Sequence, residues 1–145
     1  MNRRWLAAMA VAVLGTAGAR CTNAAAQGDL GDDNKLVFAI VVDQIFNRGN
    51  LDLADSFIAK DVISNGLPVG REGFKSMVEE LRASSPDLKL TVSDVMSRGD
   101  RVVGHVIQTD KGKSEGRVIL LRIDNGLVTE QWDWPDPLVR PEPLL

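Results

Sequence analysis

Tyrosine is absent from this chain of 145 residues, and histidine and cysteine occur once each, as His105 and Cys21. Each shortage closes a class of chemistry. A single histidine cannot build a multi-histidine metal site. A single cysteine supplies neither a thiolate zinc cluster nor an intrachain disulfide. Without tyrosine, no phenol is available as an oxyanion donor. The expectation is a protein with no metal and no cofactor. Long apolar runs are also scarce. The one candidate, "WLAAMAVAVLGTAGA", is short and rich in small residues, which suits a signal peptide better than a membrane span.

"MNRR" precedes that run with positive charge, and "NAAAQ" follows with Ala24 and Ala26 at small-residue positions before a cleavage point. Residues 1–26 therefore read as a signal peptide, with the mature chain starting near Gln27 and 27–33 forming a flexible N-terminus. Periplasmic or secreted localisation follows. Arg20 precedes Cys21, where lipid attachment wants Gly, Ala or Ser, and this argues against a lipoprotein. Removing 1–26 takes Arg3, Arg4 and Arg20 and no acid. That leaves 14 basic against 20 acidic residues, a net charge of −6. Such a surface disfavours nucleic acid and anionic membrane as partners.

The remaining chain, about 120 residues, makes one ordinary domain. "DDNKLVFAIVVDQIFNRGN" carries an apolar stripe at helical spacing, with Asp33 or Asn34 as cap and Gly49 as stop. "LDLADSFI" reads as a second helix capped by Asn50. "DVISN" is a short extended piece, and "REGFKSMVEELRASS" is a third helix with Phe74, Met77, Val78 and Leu81 on one face. After Pro86 the period changes to two. "LKLTVSDVMS", "RVVGHVIQTD", "GRVILLRID" and "LVTEQWDW" read as strands separated by turn sequences, an antiparallel meander. The expected class is α+β: a cone-shaped single domain over 34–136, with three N-terminal helices packed on a curved antiparallel sheet. The prolines at 135, 137, 141 and 143 make 137–145 a Pro-rich C-terminal arm.

"NRGNLDLADSFIAKDVI", "GREGFKSMVEELRASSPDLKLTV", "RGDRVVGHV" and "IDNGLVTEQWD", in this order, resemble the SnoaL-like branch of the nuclear transport factor 2-like superfamily. The resemblance runs from about Asn34 to Asp133. That superfamily holds polyketide cyclases, isomerases, dehydratases and epoxide hydrolases beside binding modules without activity, so it implies a fold before it implies a reaction. It implies that Asp133 stands where the cyclases carry the aspartate of a terminal His-Trp-Asp pattern, with Gln131 in place of the histidine. Asn65 stands near a polar loop position of the relatives, with Ser64 as fallback. The resemblance also makes a homodimer through the outer sheet face plausible.

Strand alternation puts Gln131 and Asp133 on one face and Trp132 and Trp134 on the other. An acid facing an apolar cone is desolvated, which suits proton transfer. A solvated strand-end residue ahead of Pro135 is the plain alternative. His105 shares a face with Val103 and Ile107, and reads either as a hydrogen-bonded core residue or as a partner of Asp133. Asn65 precedes a glycine and is also a good turn residue. Arg71 reads as an anchoring arginine. Asp133 and His105 are thus the candidate catalytic residues, and Asn65, Gln131, Trp132 and Trp134 the candidate substrate-binding residues. The implied function is cofactor-independent acid/base work on a small apolar carbonyl compound, of cyclase, isomerase or dehydratase type. The alternative is a secreted binding module that holds an apolar ligand or a partner in its cone.

Overall fold

The computed structural model describes residues 31–137. The expected signal peptide and most of the C-terminal arm lie outside them. The chain is already helical at residue 31 and stays α-helical to 40, then continues as a π-helical segment, Val41–Asn47; together these form α1. The helix therefore runs ahead of the expected Asp33 or Asn34 cap, and Asn34 instead donates Nδ2 to the carbonyl of Gly99 at 3.3 Å. Gly49, at φ 65°, turns the chain out of α1, a left-handed position that suits glycine.

A 3-10 turn, Leu51–Leu53, leads into the short α2, Ala54–Phe57, with no capping side-chain bond from Asn50. The chain then becomes β1, Ile58–Ser64, and α3 follows as Gly70–Ser84. The meander comprises β2 (Lys89–Arg98), β3 (Arg101–Asp110), β4 (Lys113–Asp124) and β5 (Leu127–Pro135). The Asn125-Gly126 turn has φ of 50° and 77°, the positive pair a two-residue hairpin of this kind demands.

The sheet order is β1-β5-β4-β3-β2. β2 to β5 are antiparallel, as their turns predict, but β1 pairs with β5 in parallel, so the sheet is mixed rather than antiparallel throughout. The expected second helix ends early and the "DVISN" piece is part of a full strand. Ile58, Ala59 and Val62 are buried there, and β-branched residues on a half-buried surface favour the pleat over the helix. Parallel pairing needs a crossover, and the stretch that carries α3 and the first antiparallel strands provides it.

All three helices cover one face. Phe38, Val41 and Ile45 of α1 and Phe74 and Val78 of α3 pack with Val102, Val106, Ile119, Leu121, Ile123 and Val128 of the sheet. Gly104 sits between Val102 and Val106, where a Cβ would come within 2.2 Å of Phe38 Cζ. Glycine here makes room for the ring. Arg82 donates to the carbonyl of Phe46 at 2.9 Å, and the Asn47 amide both donates to and accepts from the backbone of Leu90, at 2.8 and 2.7 Å. These bonds fix the end of α1 against α3 and β2. Among the described residues, no helix is long and apolar enough to cross a membrane.

Candidate active site

Inward positions on the sheet follow from register. Gly104 pairs with Ile119, and Ile119 pairs with Asp133. Asp133 and Gln131 therefore face the helices, and Trp132 and Trp134 face away. A cavity of about 480 Å³ is lined by residues of α3, the end of α1 and the sheet. Phe46, Phe74, Met77, Val78 and Leu81 form its helical wall, and Leu88, Leu90 and Ile119 extend the apolar lining. The Phe46 and Phe74 rings meet edge to face with centroids 5.8 Å apart. The polar groups on the sheet wall are Gln108, Arg117, Gln131 and Asp133. Mostly apolar lining with a few convergent polar groups is the usual character of a small-molecule site. A larger recess, about 750 Å³, lies at the other end of the strands, lined partly by turn residues such as Gly99, Asn125 and Gly126.

Asp133 is held on three sides. Asn65 Nδ2 donates to Oδ1 at 2.8 Å, Gln131 Nε2 approaches the same oxygen at 3.5 Å, and Arg117 Nη2 pairs with Oδ2. Asn65 also accepts from the Asp133 backbone N–H at 2.9 Å. The Asp133 and Arg117 side chains are 23% and 24% exposed. Asp133 is thus a partnered carboxylate at the cavity wall, neither an isolated apolar acid nor a solvated strand end. Gln131 is itself held by Ser64, whose Oγ donates to Oε1 at 3.1 Å.

Asn65 and Gly66 have φ of 49° and 82°, forming a tight turn closed by mutual backbone bonds between Ser64 and Leu67. The turn residue and the Asp133 ligand are one and the same. Parallel pairing of β1 with β5 causes this, since it puts Ser64 opposite Gln131 and the Asn65 N–H on the Gln131 carbonyl at 2.8 Å.

His105 does not join Asp133. Its neighbours Gly104 and Val106 face the core, so its ring stands on the opposite face of the sheet. There His105 Nδ1 lies 2.8 Å from Asp136 Oδ2, with the imidazole 36% exposed and the carboxylate 4%. The expected His105–Asp133 shuttle is excluded by the pleat, which sends odd and even positions of β3 to opposite sides. Trp132 and Trp134 likewise stand outside the cavity, 38% and 42% exposed. Arg71 anchors β1, donating Nε to the Ile58 carbonyl at 2.8 Å.

Arg117 is the residue that the strand reading passed over. Its parity with Ile119, Leu121 and Ile123 was the available signal, because it places a charge at an inward position. Asp136 gave less warning, since Pro135 interrupts the alternation ahead of it. Among the described residues no group of three or more His, Cys, Asp or Glu side chains is placed to hold a metal ion.

A family model described as SnoaL-like polyketide cyclase matches residues 38–139. No curated protein matches the chain in sequence. Among solved structures, a SnoaL-like polyketide cyclase from Agrobacterium tumefaciens is similar at 18% identity and TM-score 0.63, over 72% of this chain and 92% of that one. A candidate SnoaL-like polyketide cyclase from Jannaschia aligns at 20% identity and TM-score 0.64, over 74% and 88%. A candidate ketosteroid isomerase from Kribbella flavida aligns at 22% identity and TM-score 0.64, over 78% and 84%. At these identities the structural likeness speaks to the fold.

Proposed function

Because the chain belongs to the SnoaL-like polyketide cyclase family, we propose that it is a cofactor-independent acid/base enzyme, of cyclase, isomerase or dehydratase type, acting on a small apolar carbonyl compound. One observation carries the reading: Asp133 is oriented by Asn65, Gln131 and Arg117 at the wall of a largely apolar cavity. A carboxylate has about four lone-pair sites. Three donors leave about one acceptor position for a substrate proton. Proton transfer from a carbon beside a carbonyl asks for a base fixed in this way. His105 has no part in it.

The test is deuterium uptake. A panel of cyclic ketones and 1,3-diketones in D2O, followed by NMR, should reveal exchange beside a carbonyl that slows on the order of 100-fold in Asp133→Asn. A second reading, a binding module for an apolar ligand, draws support from the same hydrogen bonds, because a well-satisfied carboxylate also serves as a structural strut. Absence of exchange across the panel, with a small molecule co-purifying in the cavity, would favour it.

The proposal extends to setting. Export to the periplasm or beyond, with cleavage near Gln27, is supported by residues 1–26 as sequence. A homodimer is supported by the outer face of the sheet, where Met96, Trp132 and Trp134 leave apolar surface exposed. Sedimentation of the full chain tests the dimer.

A further inference from the structure

We propose that Arg117 is the oxyanion donor of this site, so that the ligand binds with its carbonyl oxygen on the guanidinium and its acidic carbon at Asp133. The inference rests on the acid/base reading and adds the electrophile that reading lacks. A chain without tyrosine has no phenol to take a developing enolate charge.

The geometry supplies the substitute. Arg117 carries five N–H donors in a fixed fork, and only its Nη2 is engaged by Asp133. Nε and Nη1 have no hydrogen-bond partner among the described residues, and the side chain lines the cavity. The base and the unused donors are adjacent because Arg117 and Asp133 are diagonal neighbours across β4 and β5, with Ile119 paired to Asp133 and Arg117 to Pro135.

Charge balance favours the arrangement. In the resting site, Arg117 and Asp133 neutralise each other. When the C–H bond beside the carbonyl breaks, its proton passes to Asp133 and its electron pair moves through the carbon to the carbonyl oxygen. The negative charge leaves the carboxylate and arrives on the enolate oxygen, while Arg117 stays beside both. One cation thus serves both states without net charge separation, and its donors are preorganised where charge develops. Returning the proton to another carbon completes an isomerisation. Attack of the enolate carbon on a second carbonyl within the ligand completes a ring closure, with the proton delivered to the new alkoxide. Glu80 is the remaining charged group of the lining, so a neutral carbonyl compound suits the cavity better than a carboxylic acid.

The probe is 4-nitrophenol, whose coloured phenolate mimics an enolate, with nitrobenzene as the control that lacks the oxygen. Titrated in the presence of the full wild-type chain, 4-nitrophenol should ionise at lower pH by about one unit, a tenfold preference for the phenolate. Arg117→Gln should abolish the preference while nitrobenzene binds within about twofold of wild type, and Arg117→Lys should retain part of it. Asp133→Asn should strengthen it, because the competing carboxylate is gone. Wild type and Asp133→Asn both without preference for the phenolate, or Arg117→Gln with the preference intact, overturns the assignment. Should Arg117→Gln fail to fold, the wild-type titration and Arg117→Lys still decide. The readout needs no turnover. Lost preference beside intact deuterium exchange would remove Arg117 alone, whereas intact preference without exchange would remove the acid/base reading and keep the anion site.

Discussion

The two faces of the sheet each carry a carboxylate paired with a basic side chain, and they put the pairs to different ends. On the inner face, Asp133 and Arg117 meet at the wall of a cavity, and each is about one quarter exposed. On the outer face, Asp136 is almost fully buried while its partner His105 is one third exposed, next to open apolar surface at Trp134 and Met96. The inner carboxylate lines a space that a ligand can fill. The outer one is closed in, and its partner lines neither of the two recesses described above. Residue chemistry alone ranks His105 as the better catalyst. Its side of the pleat sets it beside Asp136 and away from Asp133.

The comparison breaks most sharply by replacing one member of each pair with asparagine. Asp133→Asn should slow any exchange or turnover on the order of 100-fold, equivalent to about 2.7 kcal/mol on the barrier, whereas His105→Asn should leave the rate within about twofold. Rates of both variants on a carbonyl substrate found in the deuterium panel measure this. Equal losses would mean that the faces communicate. Asparagine at 133 also leaves Arg117 without its counter-charge. A loss of about 1 kcal/mol of stability in urea melts is therefore expected, where an acid facing only apolar groups would have predicted almost none.

Second in size is the packing under the inner face. Gly104→Ala drives a methyl into the Phe38 ring, and overpacking of this kind costs about 1–3 kcal/mol. The midpoint of thermal unfolding should fall accordingly. A midpoint equal to wild type would show that α1 moves freely over the sheet.

The outer pair gives a smaller effect. His105→Ala removes a partner from the buried Asp136 carboxylate, and destabilisation of about 1–2 kcal/mol is expected with substrate exchange preserved. Urea denaturation read beside the deuterium assay separates the two.

The smallest effect is electrostatic. The Arg122 hydrogen bond, aided by Arg101, holds Asp100 below the usual carboxylate range, and the Lys75 hydrogen bond does the same for Asp55. A folded value below the unfolded one contributes stability above the ordinary aspartate value, and that stability disappears as pH falls through the folded value. Asp55 is exposed and Asp100 partly so, and the contribution is modest and weakens with salt. Arg122→Gln should lower the urea midpoint slightly at neutral pH, and the gap to wild type should narrow in acid. A gap constant with pH would show that the arginine acts through packing.

Legibility followed locality. The meander was readable because alternation and glycine-bearing turns are short-range signals, and the third helix because its apolar face repeats every three to four residues. The parallel pairing of β1 was not readable. It joins residues some 67 positions apart, as Ser64 with Gln131, and no spacing within either strand announces it. The site divides in the same way. Gln131 and Asp133 share a face by parity, and the same rule denies His105 to Asp133 once β3 is registered against β4. The Asn65 contact awaited the parallel pair, and the Asp136 contact awaited the path of the chain beyond Pro135.

The Asn47 amide has a consequence for behaviour in concentrated solution. β2 ends the sheet, and the outward backbone of an edge strand is an open template for strands of other molecules. By clasping both the N–H and the C=O of Leu90, Asn47 occupies that template near its start with an immovable decoy. Asn47→Leu would keep the bulk and release the clasp. Its cost would be felt less in the stability of one molecule than in the company it keeps, as a shorter shelf life, turbidity on refolding, and a fibre-forming tendency seeded along β2.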